Sequence, residues 1–194
     1  MIVWLNGAFG AGKTQTAYEL HRRLPGSYVY DPENAGAFIR ANLPPGLERD
    51  DFQHFPMWRA FNRDMLDYAA ARYEGHLIVP MTVTDRAYYD ELVGALAQKH
   101  ELRHLILWAG RETLERRLTS RLEGPNSWGR RQIGRCLRAF ETEIVEEKIC
   151  TDGLDIGQVA DRVGALCGLA LAEDRRSPLG RRLDRLATQI KHIR

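Results

Sequence analysis

The stretch that most constrains this chain is its N-terminus. The apolar run Ile2-Val3-Trp4-Leu5 leads through Asn6 directly into Gly7-Ala8-Phe9-Gly10-Ala11-Gly12-Lys13-Thr14. A G-x-x-x-x-G-K-T motif at the end of a strand requires the backbone to stop, wrap an anion and start a helix within a few residues. Gly7, Gly10 and Gly12 stand where a Cβ would block that approach. The N–H groups of the loop and the positive end of the new helix are suited to phosphate oxygens. Lys13 is expected to reach β- and γ-phosphates as a point charge, and the Thr14 hydroxyl to ligate Mg²⁺. A dinucleotide-binding G-x-G-x-x-G does not fit, because Gly10-Ala11-Gly12 is followed by Lys13-Thr14.

The rest of the chain is read around that loop. Thr14 to Leu24 forms a helix with Ala17, Tyr18, Leu20 and Leu24 inward, stopped by Pro25-Gly26. Ser27-Tyr28-Val29-Tyr30 is a short strand with Asp31-Pro32-Glu33 at its end. Ligands of parallel α/β sheets bind beyond the carboxyl ends of strands, so Asp31 and Glu33 are expected to face the same cleft as Lys13. Residues 34–55 read as a short helix and then a loop with acids at Glu48, Asp50 and Asp51. Pro56 opens the next helix, in which Trp58, Phe61, Met65, Ala69 and Tyr73 recur near helical spacing. That stripe is either core, or Phe38, Trp58 or Phe61 contributes to an apolar pocket for an acceptor molecule.

His76-Leu77-Ile78-Val79-Pro80 is a third strand, followed by Met81-Thr82 where many P-loop enzymes place a magnesium-binding aspartate. Asp85 caps a helix running to His100, and His104 to Ala109 is the fourth strand. In the helix Glu112 to Arg121, Leu114, Leu118 and Leu122 mark the inner side, while Arg117 and Arg121 share a face. Those arginines either clamp transferring phosphates or form a solvated face paired with Glu112 and Glu115. The following Glu123-Gly124-Pro125-Asn126-Ser127-Trp128-Gly129 has the composition of a lid, placed at about 120–131. A helix over Arg130 to Glu147, a strand at Lys148 to Thr151 and a helix capped by Asp155 complete the pattern. Five strands alternating with helices imply a three-layer α/β/α domain with a five-stranded parallel sheet.

At 194 residues and 44% hydrophobic content there is enough chain for one core, here residues 1–174. Cys136, Cys150 and Cys167 are scattered and the six histidines lack metal spacing, so neither disulfides nor a zinc site is expected. Reduced thiols fit a cytoplasmic protein, and no run has the length of a membrane span or signal peptide. Net charge is only +2, but residues 175–194 hold seven Arg or Lys against one Asp. There Leu179, Leu183, Leu186, Ile190 and Ile193 repeat at helical steps, with Arg181, Arg182, Arg185 and Lys191 on other faces. This basic amphipathic helix either lies on an anionic membrane surface or packs its apolar seam on the domain or a partner chain. Nucleic acid is not expected as a partner, since no aromatic-basic interleaving accompanies the helix.

Several blocks together resemble the tunicamycin resistance proteins of bacteria, which are similar to nucleoside and nucleotide kinases. They are Gly7 to Ala17, Tyr28-Val29-Tyr30-Asp31-Pro32-Glu33, Asp50-Asp51-Phe52-Gln53, Trp58-Arg59-Ala60-Phe61-Asn62, Ile78-Val79-Pro80-Met81-Thr82 and Asn126-Ser127-Trp128. The resemblance covers nearly the whole chain, to the end of the tail. It implies a nucleotide-kinase-like P-loop domain, ATP with Mg²⁺ in the loop, and protection against tunicamycin, a nucleoside antibiotic. It also adds Gln53 to the substrate candidates. In similar antibiotic phosphotransferases an acid at the end of the second strand deprotonates the acceptor hydroxyl, and Asp31 matches that position. Two activities are therefore expected as alternatives: phosphoryl transfer to a hydroxyl of tunicamycin or a related nucleoside, or ATP-dependent sequestration of the drug, at the inner face of the membrane through residues 179–194. A signalling GTPase is not indicated, because no N-K-x-D guanine signature is present.

Overall fold

The continuous apolar runs become strands buried on both faces. In the computed structural model these are β1 (Ile2–Gly7), β2 (Ser27–Val29), β3 (His76–Pro80), β4 (Leu102–Trp108) and β5 (Lys148–Cys150). The structure describes residues 1–121 and 123–191, the side chains of Ile190 and Lys191 excepted. The strands pair in the order β2-β3-β1-β4-β5, all parallel, with Leu5 opposite both Pro80 and Leu105. From β1 the chain leaves toward β2 on one side, and from its neighbour β4 toward β5 on the other. Such a divergence opens a crevice at the carboxyl ends, where open parallel sheets bind ligands.

Helices cover both faces, giving the expected three-layer α/β/α fold. The helix α1 (Lys13–Arg23) packs beside α8 (Ile156–Cys167). On the opposite face, as right-handed crossovers require, α3 (Pro56–Ala70) packs against the run α4 (Arg86–Tyr89), a π-helical stretch Asp90–Gly94, and α5 (Ala95–Ala97). The remaining helices are α2 (Glu33–Ala41), α6 (Arg111–Ser120), α7 (Trp128–Thr142) and α9 (Pro178–Lys191).

Local chemistry sets the ends of these elements, and it moves some expected boundaries. The Ser127 hydroxyl accepts from the Arg130 N–H and starts α7 at Trp128, so the last four residues of the 120–131 lid region are helical. The same helix ends at Thr142 rather than Glu147, because the chain leaves it to bury Ile144 and to turn Glu146 toward His104. Asp85 and Asp155 both cap as expected, Asp155 in a reciprocal box with Gln158. Leu122 lies outside the described residues.

For the tail, the structure departs from one of the two expected placements, the packing of its apolar seam on the domain. The helix α9 does not pack its leucines on the domain. It docks on α1 through polar groups, while Leu179, Leu183 and Leu186 remain 66%, 58% and 53% exposed. The reason lies in α1, whose face toward the tail presents Gln15, Glu19 and Arg22 at helical spacing. Gln15 Nε2 donates to the Arg185 carbonyl at 3.0 Å, and Arg22 donates to Thr188 Oγ1 at 3.0 Å. Arg176 bridges the nearly buried Glu19 carboxylate to Asp174 and Asp184. A charged face selects the charged side of an amphipathic partner, because buried ions need counter-ions. Ile193 and the side chain of Ile190 lie outside the described residues.

Candidate active site

The phosphate loop begins where β1 ends, and its backbone takes forms open mainly to glycine. Gly7, Gly10 and Gly12 have φ of 142°, 86° and 101°. A Cβ on Gly7 would also stand 2.5 Å from the Leu107 carbonyl oxygen, so β4 itself closes that position. Gly12 is the N-cap of α1, which aims the helix dipole and free N–H groups into the crevice.

A buried polar network that the sequence reading missed holds the loop in place. Asn6 is fully buried. Its Oδ1 accepts from the N–H of Gly7 and of Val83, both at 2.9 Å, and its Nδ2 donates to the Val83 carbonyl at 2.9 Å. The Nδ2 also lies 3.1 Å from His104 Nε2, and burial pushes the His104 imidazole down to about 4. The Thr82 hydroxyl donates to the Gly7 carbonyl at 2.8 Å. Thus Thr82, standing where many P-loop enzymes place a magnesium-binding aspartate, braces the loop instead. The available signal was a lone amide ending an apolar strand, because a buried side chain of that kind must find partners.

Cations gather at the loop. Lys13 Nζ donates to the carbonyls of Gly7 and Ala8 at 3.0 and 3.1 Å and sits 5.4 Å from the Phe9 ring centroid. Burial pushes its ammonium down to about 8; the nearby Cys136 and Glu33 oppose that shift, and Arg121 adds to it. Arg121 is itself held below the usual guanidinium range by burial. Two desolvated, mutually repelling cations beside a phosphate-shaped loop are a site for an anion. Arg117 behaves differently. It donates to Thr151 Oγ1 at 3.0 Å, to the Thr151 carbonyl at 2.7 Å and to the Ala11 carbonyl at 3.5 Å, tying the loop to the end of β5. The expectation of two arginines acting as one clamp therefore divides, with Arg121 close to Lys13 and Arg117 engaged as a brace. Thr14, at the first turn of α1, is partly buried beside Lys13.

The acids stand across the sheet. Between β1 and β2 lies only β3, so the strand ends bearing Gly7 and Asp31 are about 10 Å apart by strand spacing. Asp31 Oδ1 accepts from the Glu33 N–H at 3.0 Å, which fixes the turn into α2. Glu33, in the first turn of that helix, is close enough to raise the Lys13 pKa. Trp58 is buried and donates from Nε1 to the Pro32 carbonyl at 3.0 Å, so it supports the acidic turn from below. Gln53 is buried as well; its N–H and side-chain amide bond Asp51, and its carbonyl accepts from Arg59. Phe38 and Phe61 are 70% and 51% exposed on the outer faces of α2 and α3, so the aromatic candidates do not converge on one enclosed pocket.

Comparison with known proteins agrees with this geometry. A family model described as an AAA domain matches residues 2–142. A search of curated protein sequences finds no match. The structure of the Deinococcus radiodurans tunicamycin resistance protein is 38% identical, covering 89% of this chain and 98% of that one, with a TM-score of 0.75. More distant structures share the fold alone. They include a sugar kinase from a Janibacter species (17% identity, 87% of this chain and 95% of that one, TM-score 0.62). Another is the shikimate kinase of Bacteroides thetaiotaomicron (19% identity, 87% and 99%, TM-score 0.60). By its P-loop, its strand order and this near full-length match, the chain belongs to the tunicamycin resistance protein family, with a kinase-like P-loop fold.

Proposed function

We propose that this protein confers tunicamycin resistance as an ATP-dependent phosphotransferase acting on a hydroxyl of tunicamycin or a related nucleoside. The observation that carries the reading is the pairing of desolvated Lys13 and Arg121 at the loop with the acids Asp31 and Glu33 across one strand. In this reading the N–H groups of residues 7–14 hold the triphosphate, Thr14 is the side chain that would hold Mg²⁺, and the metal would offset charge on the β- and γ-oxygens. Lys13 and Arg121 stabilise charge as the bond from the γ-phosphorus to its bridging oxygen breaks. Asp31 takes the proton from the acceptor hydroxyl, whose oxygen forms the new bond to phosphorus. Residues 120–131 close over the loop as a lid, with Trp128 resting on Phe9 at 4.9 Å. The direct test is ADP release by purified protein: acceleration when tunicamycin is added supports transfer, and no acceleration at saturating drug opposes it.

The lowered Lys13 pKa gives this reading a pH signature. Below about pH 8 the ammonium is charged before ligand arrives. Above it, binding must add a proton, so nucleotide affinity is expected to fall about tenfold per pH unit. Calorimetry of a non-hydrolysable ATP analogue between pH 7 and 9 checks this, and a flat profile contradicts it.

The outward leucines favour a second element, peripheral attachment at the inner face of the membrane, where the drug is sequestered or modified. Leu179, Leu183 and Leu186 face solvent beside exposed Arg182 and Arg185, as in a helix lying on anionic lipid. We expect Leu183→Ser with Leu186→Ser to abolish co-sedimentation with phosphatidylglycerol vesicles while leaving the melting temperature nearly unchanged, because both side chains are exposed. Undiminished vesicle binding contradicts the attachment.

A further inference from the structure

Beside the phosphate loop a cavity of about 260 Å³ opens between the turn Asp50–His54 and the first two turns of α7. Its walls belong to elements already tied to the reacting centre. On one side is Trp128, edge-on to Phe9 at 4.9 Å. On the other, the turn is anchored by Phe52 packing on Trp58 at 5.2 Å, and Trp58 holds the Pro32 carbonyl next to Asp31. One wall of the cavity thus touches the phosphate loop through Phe9, and the other is carried by a turn packed on the residue that supports the Asp31 turn.

Its charge decides what it suits. Asp50 and Asp51 are balanced by Arg131 and Arg135. Arg135 is 3.2 Å from Asp51, whose oxygens also accept from the Gln53 N–H and side-chain amide, and Arg131 donates to the Asn126 carbonyl. A second phosphate group would need a surplus of cations, and none is present among the lining residues. The remaining lining residues are Asp50, Gln132, Trp128 and His54, whose Nδ1 lies 3.1 Å from the Tyr88 hydroxyl oxygen. A carboxylate and an amide next to an aromatic face match an uncharged ring bearing hydroxyls. The volume is below that of a whole drug-sized pocket and fits one ring system.

We propose that this cavity is the acceptor subsite, holding an uncharged sugar or nucleoside ring against Trp128 with its hydroxyls bonded by Asp50 and Gln132. This rests on the phosphotransferase reading and specifies where its acceptor binds. Phe38 and Phe61 have no part in it.

The test is calorimetric titration of tunicamycin, uridine and uridine monophosphate into wild-type, Asp50→Ala and Gln132→Ala protein, each with a parallel titration of a non-hydrolysable ATP analogue. Loss of one hydrogen bond to a bound hydroxyl is expected to weaken the uncharged ligands about tenfold in each variant. The affinity for the ATP analogue should stay within twofold. If wild type binds tunicamycin and both variants bind it equally well, the subsite is wrong while the phosphotransferase reading stands. If uridine binds and the variants weaken it but tunicamycin does not bind, the subsite stands and the drug reading falls. Tighter binding of uridine monophosphate than of uridine would overturn the uncharged class. Binding of none of the three overturns both.

Discussion

Lys13→Met protein is expected to lose nucleotide-dependent function while becoming no less stable. The methionine keeps the aliphatic stem beside Phe9 but removes the Lys13 ammonium from the loop. A charge-assisted hydrogen bond contributes about 1.5–3 kcal/mol, so affinity for Mg·ATP should fall at least tenfold. Loss of charge stabilisation in the transition state should lower transfer by a further factor of about 10²–10³. Stability should move the other way. Lys13 has its folded-state pKa lowered from 10.5 to about 8, so below pH 8 the folded protein holds a charge that its surroundings disfavour. That penalty is fully present at pH 7 and is relieved as pH rises from about 8 toward 10.5. The ligand-free variant should therefore melt at the wild-type temperature or above it at pH 7. A clearly lower melting point would show that the hydrogen bonds from Lys13 to Gly7 and Ala8 outweigh its desolvation.

Asp31→Asn separates chemistry from binding. If Asp31 accepts the hydroxyl proton, the amide should lower the transfer rate by about 10²–10⁴ while both ligands bind nearly as before. Asparagine keeps an oxygen able to accept from the Glu33 N–H, so the turn into α2 should survive. Glu33→Gln is the comparison, since Glu33 is the acid whose charge reaches Lys13. A loss of rate confined to the Glu33 variant would move the base to that residue. Full activity in both variants would remove proton abstraction by this turn from the mechanism.

What the sequence revealed, and what it hid, follows from the range of the interactions. The loop Gly7 to Thr14 was legible because its function depends on backbone geometry, and backbone geometry restricts residue types at fixed spacing. The parallel sheet was legible because strands covered on both faces are continuous apolar runs. The bracing of the loop was not, since Asn6 meets Val83 and Thr82 meets Gly7 across more than seventy residues. Arg117 and Arg121 share a helix face in the sequence, yet their neighbours separate them: Thr151 captures the first, and Lys13 faces the second. The tail shows the limit most plainly. Its amphipathic pattern identified a helix with one apolar side but not which side would face the domain, because that choice was made by Gln15, Glu19 and Arg22 on α1. Likewise, an aromatic stripe does not distinguish Trp58, buried under the acidic turn, from Phe61, which points to solvent.

The central claim, that this fold transfers a phosphoryl group to the drug, is tested most directly by mass spectrometry of tunicamycin incubated with the protein, ATP and Mg²⁺, alongside the Lys13→Met control. Wild type is expected to form a species heavier by one phosphoryl group, absent from the control. Unmodified tunicamycin under conditions where calorimetry shows it bound would contradict transfer and leave ATP-dependent sequestration as the activity of the site.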